Sequence, residues 1–565
     1  MTAIDWALFA LYFLGVLSFA LYQSRKNEGV EGYFLGNRRM PWWAIGLSVM
    51  ATQASAITFI GTTGQAFDDG MEFVQFYLAL PFAMVVLCAV FVPLFYRARV
   101  FTAYEYLEQR FDGRTRALTG FLFLLSRGMG AGIILYAPAI VLSVILGWDE
   151  RLTIAVMAVI TVAYTMAGGI TAVIWTDVVQ MLMVFGGIAV ALVALFANLP
   201  DGVGVAEAFY VGGIQEMWRS VDLSWDPTNT YTLWSGLLGG FFLFLAYFGT
   251  DQSQVQRYLT ATSLKDSRLS LIFNAFLKVP MQVLILSIGV LLFVFYHFER
   301  PPLVFSPAEV AAVEESELAA DYRALEDEQV RLHAQRRTAT LDLLEDRSAG
   351  EDIEGTRATI EDLDRRLGTL RSEAKDLVSE VRGTASNDVN YVFPTYIINF
   401  IPTGFLGLLI AVIFAAAMSS LDSEITALSS ATVMDFYKRW FRTDAPESHY
   451  LLISRLATLF WGLFAFGVAF YAGQLGSLIE AVNQIGSFFY GSLLGVFLLA
   501  FFVRRATGLG ASVGLLAGMG SVFLVSITTQ ISWLYYNVVG AGVVVLVGLL
   551  LQDRGTGSGA APEAG

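Results

Sequence analysis

Long apolar runs alternate with short polar segments along almost the whole chain of 565 residues. A helix needs about 20 apolar residues to cross a bilayer. Runs of that kind lie near 3–22, 41–66, 72–96, 119–146, 152–168, 171–197, 232–256, 268–296, 391–420, 450–471, 475–503, 508–528 and 532–551. The pattern predicts an all-α polytopic membrane protein with about thirteen transmembrane helices. The first run lacks a basic leader and a cleavage site, so we expect a retained helix.

One apolar stretch, 407–438, contains several polar residues, which are costly to place in the hydrocarbon core of a membrane. Within about two turns it holds Ser419, Ser420, Asp422, Ser423, Glu424 and Thr426. Carboxylate and hydroxyl oxygens are hard ligands that suit a small cation. Ionisable residues inside a membrane helix indicate an ion pathway. Two alternatives stay open: small residues that let helices approach closely, and a location of Asp422 and Glu424 at the cytoplasmic edge.

Two further spans have polar interruptions. The second span, 41–66, contains Thr52, Gln53, Ser55 and Thr58 among glycines, and the span at 232–256 contains Tyr247, Thr250 and Asp251. Non-helical backbone at membrane depth is tolerated where it lines a cavity. Interrupted helices at corresponding places in two halves predict an inverted-repeat transporter.

Two isolated charges stand inside other apolar runs. Asp177 interrupts 171–197 and Lys278 interrupts 268–296. Asp177 either faces the interior or anchors its helix at the interface. Lys278 either faces the interior or extends its stem to the cytoplasmic side.

The distribution of charge predicts the topology. Segments 23–40, 97–118, 257–268, 438–455 and 504–505 are basic and alternate with neutral or acidic loops. The N-terminus is therefore expected outside and the C-terminus inside a plasma or inner cell membrane. With 56% hydrophobic and 15% charged residues the chain is no soluble protein. The net charge of −14 is concentrated in external segments, and a nucleic-acid partner is implausible.

Residues 306–385 differ in composition from the rest. They are charged and carry two apolar seams at heptad spacing. The first seam has Leu318, Tyr322, Leu325, Leu332, Ala339 and Leu343, weakened by Gln329 and Arg336; the second has Ile360, Leu363, Leu367, Leu370, Ala374, Leu377 and Val381. We predict an external antiparallel helical hairpin with a turn at 348–350. With three histidines and one cysteine in the chain, an enzyme is not expected.

Four motifs then resemble the sodium/solute symporter family, whose members carry sugars, sialic acid, proline, monocarboxylates, vitamins and iodide. They are GGITAVIWTDVVQ, TDQSQVQRYLTA, AAAMSSLDSEITALSSATVMDFYKR and YGSLLGVFLLAFF, in that order. The resemblance implies the LeuT-type fold of two inverted five-helix repeats. Those repeats would occupy 41–197 and 232–503, joined by an external loop at 198–231. Outside them lie an N-terminal helix with its loop (1–40), two C-terminal helices (504–551) and a flexible tail (552–565).

The resemblance also implies where ligands bind. The main sodium site falls on carbonyls of Ala51, Ala54 and Ala416 and on hydroxyls of Ser419 and Ser420. The second sodium site of some members would use Asp177, Asp422 and Ser423 with Ser419, although Asp422 replaces a serine of the sialic-acid type. The implied substrate residues are Thr58, Gln75, Tyr77, Tyr247, Lys278, Asn483 and Gln484.

The function expected from this resemblance is sodium-coupled symport of a small polar solute by alternating access. Lys278 favours a sugar-like solute. The VQRYL and GSLLGVF motifs also resemble carriers of small anions, namely monocarboxylates, vitamins or iodide. A transporter-like sensor is the less favoured alternative. The insert, whose role is open, is expected to contact a protein partner or a second copy.

Overall fold

The computed structural model describes residues 2–24, 29–402, 404–472, 475 and 477–553. Helices make up most of these residues, and within them the one strand pairing is an isolated bridge between Met40 and Ala261. The predicted tail from 554 onward and the basic residues Arg25 and Lys26 lie outside the described part of the chain.

Ten helices form the first part of the chain. They are α1 Ala3–Ser24, α2 Gly29–Leu35, α3 Trp42–Gln53, α4 Ala56–Asp69, α5 Val74–Tyr77, α6 Leu80–Val86, α7 Val92–Ala98, α8 Ala103–Arg110, α9 Gly113–Leu146 and α10 Glu150–Ala197. Gly169 interrupts α10 with φ 62° and ψ 174°, a conformation open to glycine and costly for other residues. The sequence-predicted spans at 152–168 and 171–197 are the two parts on either side of this glycine.

The middle of the chain contains a short helix, a second interrupted span and the insert. The helices are α11 Val205–Ile214, α12 Phe241–Thr250, α13 Gln252–Tyr258, α14 Leu264–Phe298, α15 Pro307–Glu314, α16 Ala319–Ala349 and α17 Glu354–Arg382. Asp251 separates α12 from α13 with extended backbone, and its carboxylate accepts a hydrogen bond from the Ser253 N–H. This N-cap explains why a new helix begins at this residue.

Six helices form the last part of the described chain. Its helices are α18 Val392–Phe400, α19 Phe405–Ala431, α20 Glu447–Ala472, α21 Leu478–Phe502, α22 Gly508–Thr528 and α23 Tyr536–Leu550. A π-helical segment, Thr432–Phe441, continues α19. Every residue of α19 from Leu409 to Ala431 is buried, so α19 is the central helix of the bundle.

Nine helical segments in the described ranges are long and apolar enough to cross a membrane, and a tenth results if α3 and α4, bent by 56°, count as one broken span. The chain is therefore a multi-pass membrane protein. The segments Ala3–Val16 and Ser235–Thr250 are apolar but shorter. The number thirteen stays a prediction.

The helices α16 and α17, called the hairpin from here on, run antiparallel and are joined at Gly350 (φ 78°). The turn follows Ala349, so the first helix extends slightly further than the predicted turn at 348–350. Tyr322 and Ala374 pack with Leu303 and Val304, which follow α14. The hairpin thus packs on the surface at the end of α14. We call this surface the hairpin face. The residues that interrupted the apolar seam bond to this face: Gln329 donates to the Pro301 carbonyl (3.0 Å) and Arg336 to the Tyr296 carbonyl (2.5 Å).

Candidate functional site

The break between α3 and α4 lies against α19. The Ala54 N–H donates to the carbonyls of Met50 and Ala51 (2.9 and 3.0 Å), and Ala54 itself leaves helical geometry. Helix-terminal carbonyls lack the amide partner that an interior carbonyl has. The helix thus ends at the polar residues of this span, in the interior of the protein.

Ser420 joins the two elements. Its hydroxyl lies 2.9 Å from the Thr52 carbonyl, 3.3 Å from the Ala416 carbonyl and 3.5 Å from the Ala51 carbonyl. Four oxygens therefore converge between the end of α3 and the middle of α19. Oxygen ligands at such a place suit an alkali cation.

Ser419 points to a different cluster. Its hydroxyl donates to Asp177 Oδ1 (2.5 Å), and Ser48 donates to Asp177 Oδ2 (2.5 Å). The second sodium site was predicted around the same carboxylate. The structure brings Asp177, Ser419, Ser423 and Asp422 together in the interior of the protein.

A guanidinium group stands in this cluster. Arg257, fully buried, lies 3.3 Å from Asp177 Oδ2, donates through Nε to Ser48 (2.8 Å) and also bonds Ser423. Arg257 was missed, although it sits in the TDQSQVQRYLTA motif. It supplies one positive charge where a second sodium was expected. Asp422 Oδ2 has no hydrogen-bond partner among the described residues, so two acids face a single cation.

A cavity of about 70 Å³ lies beside the break. Four of the predicted substrate residues, Thr58, Tyr77, Tyr247 and Asn483, line it. Arg127 and Glu424 line it too, and their side chains are 3.0 Å apart. Arg127 Nη2 and Glu424 Oε2 have no hydrogen-bond partner in the described part of the chain. Among the described residues that line the cavity, the buried polar atoms without a partner are one donor, Arg127 Nη2, and two acceptors, Glu424 Oε2 and Gln53 Oε1.

The other three predicted substrate residues do not line this cavity. Gln75 is held by the Tyr231 carbonyl (2.7 Å) and the Asp222 N–H (2.8 Å). Lys278 is fully buried with its ammonium 5.6 Å from the centre of the Tyr77 ring. Gln484 is exposed on the surface.

Arg127 is the main residue that sequence reasoning overlooked. It interrupts the apolar run 119–146 just as Lys278 interrupts its own run, so the same signal was available. Asp251 accepts from Arg127 Nε (2.5 Å), and the guanidinium lies 4.9 Å from the centre of the Tyr247 ring. Both partners belong to the interrupted span at 232–256.

These features define a class: a helical membrane protein whose broken helix and central helix share a buried polar site, which is an architecture of ion-coupled transporters. The sequence model of the sodium:solute symporter family matches residues 33–320 and 372–518. The chain belongs to this family, which confirms the resemblance. The residues left unmatched between these ranges, 321–371, fall within the hairpin and the turn that joins its two helices.

Curated relatives carry different solutes. The chain is 26% identical over 551 residues to the sodium/sialic acid symporter SiaT of Proteus mirabilis, covering 97% of this chain and 94% of that protein. It is 27% identical to the sodium-dependent multivitamin transporter of Oryctolagus cuniculus, over 93% of this chain and 70% of that protein. It is 26% identical to human sodium-coupled monocarboxylate transporter 1, over 93% and 74%.

A solved structure has the same fold. It is a Na⁺-coupled sialic acid symporter in a substrate-bound outward-open state, with a TM-score of 0.76, 25% sequence identity and 97% coverage of both chains. The protein is thus a sodium-coupled symporter and not an enzyme, as predicted, and sodium and a small solute are its substrates.

Proposed function

We propose that this symporter carries a small polyhydroxylated, sugar-like solute together with sodium. The observation that supports this most is the pairing of Arg127 and Glu424 at the cavity, each with one unused polar atom. A hydroxyl group can accept from the guanidinium and donate to the carboxylate at the same time. Tyrosine rings at the cavity give the apolar face of a sugar a surface to pack on.

Charge balance favours a neutral solute over an anion. Arg127 is paired with both Asp251 and Glu424, so these three groups carry a formal charge of one negative unit. Glu424 Oε2, which has no partner among the described residues, would repel an anionic solute in this cavity, whereas the cationic Lys278 lies outside its lining. The alternative, a small anion such as a monocarboxylate, is supported by relatives that carry such solutes.

The proposed sodium position keeps the predicted ligands Ala51, Ala54, Ala416, Ser419 and Ser420. The oxygens of Ala51, Ala416 and Ser420 support it, because they lie together with the Thr52 carbonyl, whereas the Ser419 hydroxyl is turned to Asp177. A cation there would hold α3 against α19 beside the solute cavity. Sodium and solute would then stabilise the same conformation, and such coupling is reciprocal, typically about 1–3 kcal/mol. The second ion proposed at Asp177, Asp422 and Ser423 would share its cluster with Arg257.

Alternating access in a LeuT-type inverted repeat is the proposed mechanism. The cavity of about 70 Å³ is smaller than the roughly 300–1,000 Å³ of usual small-molecule sites. Binding a hexose-sized solute therefore requires the lining elements to move apart. One charge that crosses 100 mV supplies roughly 2.3 kcal/mol to the cycle.

The decisive experiment is uptake into proteoliposomes from a panel of labelled hexoses, sialic acid, proline, lactate, biotin and iodide, with and without an inward sodium gradient. Accumulation of a neutral sugar is expected. Accumulation of lactate, biotin or iodide instead would replace this substrate class with the anion class. Binding of a sugar without any gradient-driven accumulation would support a sensor.

The sodium position is tested with Ser420→Ala. The sodium concentration for half-maximal uptake is expected to rise at least about tenfold, because one ligand and the link to α3 are lost. Ser430→Ala is the matched control, since Ser430 is buried on the same helix and its hydroxyl has no partner among the described residues. Unchanged sodium activation in Ser420→Ala would contradict the assignment.

A further inference from the structure

A second cavity, of about 190 Å³, lies between the hairpin and the ends of α4 and α14. Apolar side chains form much of its wall, among them Phe67, Phe293, Leu303 and Leu367. Two acids, Asp68 and Asp364, and two guanidinium groups, Arg336 and Arg371, line it as well, so the formal charges of these four groups balance. It shares no lining residue with the cavity at Arg127. An engineered apolar cavity of roughly 150 Å³ binds benzene, so this cavity has room for a single aromatic ring.

Arg336 brings an unused hydrogen-bond donor to the cavity. Its Nη1 donates to Asp364 (2.8 Å) and its Nη2 to the Tyr296 carbonyl (2.5 Å), whereas the buried Nε has no hydrogen-bond partner among the described residues. A buried N–H without a partner is costly, and native proteins seldom leave one. An acceptor oxygen in the cavity would satisfy it.

Arg371 lines the same cavity from α17. Its Nη2 donates to Asp388 (2.9 Å), and Asp68 lies 3.7 Å from that nitrogen. The guanidinium lies over the Phe305 ring (4.9 Å to its centre) and near Phe67 (5.6 Å), which fixes its plane. Its other N–H groups have no hydrogen-bond partner in the described ranges. A planar guanidinium with free N–H groups matches a carboxylate.

Gly368 lines the cavity from α17. It stands in the interior of α17, where glycine weakens a helix relative to alanine. A Cβ built on Gly368 meets no atom within 4 Å, so close packing does not require glycine here. Because Gly368 lines the cavity, a larger side chain at this position would fill it.

We propose that this cavity binds a small organic acid, with its carboxylate on Arg336 and Arg371 and an apolar body of up to one ring against Phe67 and Phe293. The cavity walls come from the hairpin as well as from α4, the second half of the broken helix. A bound acid would therefore tie the hairpin to the helix that helps to form the proposed sodium position. This site is independent of the solute that the symporter carries.

The test uses labelled benzoate and the full-length protein purified in detergent, in sodium-free buffer, with equilibrium dialysis as the readout. We expect saturable binding of one benzoate per chain. Gly368→Phe should lower the affinity at least about tenfold, and Gly368→Leu, a smaller change, should lower it as well. Gly355→Phe is the matched control on the same helix, because Gly355 is also exposed and free of close neighbours.

Two further arms distinguish benzoate bound in this cavity from benzoate bound elsewhere on the protein. Benzyl alcohol, which has the ring but no carboxylate, should not compete with benzoate. Glu424→Gln should leave benzoate affinity unchanged, because Glu424 lines only the other cavity. The proposal is overturned if native protein shows no saturable binding, if both Gly368 variants bind as well as Gly355→Phe, if benzyl alcohol competes equally, or if Glu424→Gln abolishes binding.

Discussion

Arg257 and Asp177 form an ion pair that no solvent reaches. Removing one partner of a buried pair leaves an unpaired charge and costs about 3–5 kcal/mol. We predict that Arg257→Gln and Asp177→Asn each lower the unfolding free energy by about that amount. The double variant should lose clearly less than the sum, since the attraction between these two groups is lost only once, while Asp422 stays in all four proteins. Chemical unfolding in detergent measures all four proteins, and strictly additive losses would show that the two groups do not interact.

Glu424 is the acid whose second oxygen faces the solute cavity without a partner among the described residues. We predict that Glu424→Gln raises the KM for the solute about tenfold or more, because a hydrogen bond to a charged group contributes about 1.5–3 kcal/mol. The sodium concentration for half-maximal uptake should change little. Uptake kinetics provide the measurement. Glu309→Gln is the control, since Glu309 is a buried acid paired with Arg382 in the insert; an equal KM change in both variants would refute a specific role.

At this scale the sequence indicates which residue types are polar but not where each side chain points. Ser419 and Ser420 are neighbours in an interrupted span, and the sequence predicts two cation-binding hydroxyls. In the structure one hydroxyl faces the end of α3 and the other faces Asp177. Side chains at adjacent helical positions point in directions about 100° apart. Which partner each hydroxyl meets therefore depends on which helices pack on those two sides. Gln75 is a similar case, because its partners come from a loop about 150 residues later in the chain.

The hairpin is the element whose docking depends on titratable groups. Burial, together with the charge of Arg336, lowers the pKa of His333 from 6.5 to about 4. The neutral ring donates to the Tyr296 carbonyl (3.1 Å). Burial opposes ionisation of Asp364, yet the facing His297 and Arg336 lower its pKa to about 2. Asp364 thus stays charged throughout the interval in which His333 titrates.

The sign of the pH effect follows from the direction of the His333 shift. Above pH 6.5 the His333 ring is mostly neutral whether the hairpin is docked or not, so protonation does not oppose docking. Between pH 6.5 and about 4, His333 binds a proton in the undocked form but stays neutral in the docked form. Docking therefore weakens as the pH falls. We predict that the melting temperature drops across this interval in native protein and drops less in His333→Gln, which keeps an N–H donor without titrating.

His449→Gln serves as the matched control, because His449 lies outside the hairpin and is bonded to Tyr437. It should keep the full pH dependence of the native protein. If His333→Gln and the native protein lose stability in parallel, another group carries the effect.

Heptad spacing was enough to predict two paired helices, yet not their docking. Gln329 and Arg336 look like defects of an apolar seam, and the structure uses both as hydrogen-bond donors to carbonyls after and within α14. Heptad spacing shows which residues of a helix share one face. It does not show which other part of the protein packs against that face. Polar residues at seam positions are therefore the places where a third element is to be expected.

The whole molecule follows the alternation of apolar and polar segments closely because each span satisfies its own backbone hydrogen bonds. The helical membrane class was accessible for that reason, whereas the family was accessible from four sequence motifs. Composition also separated the spans at 152–168 and 171–197, which meet at Gly169, and located the interrupted span at 232–256, which contains the apolar segment Ser235–Thr250. Long-range pairings such as Asp5 with the backbone of Gly404 and Gly407 (2.8 and 3.0 Å) depend on the assembled bundle.

Orientation in the membrane is a property of the whole chain and is predicted by its basic segments: the hairpin outside, the loop between α19 and α20 inside. Cys88 is the single cysteine of the sequence and is buried, so Cys88→Ser gives a background without thiols. In that background Ser348→Cys at the tip of the hairpin should react with a membrane-impermeant maleimide on intact cells. Asp444→Cys should react only after permeabilisation, and both positions are exposed in the structure. The reverse labelling pattern would invert the topology and place the benzoate cavity on the cytoplasmic side, while equal labelling of both on intact cells would mean that the two loops do not lie on opposite sides.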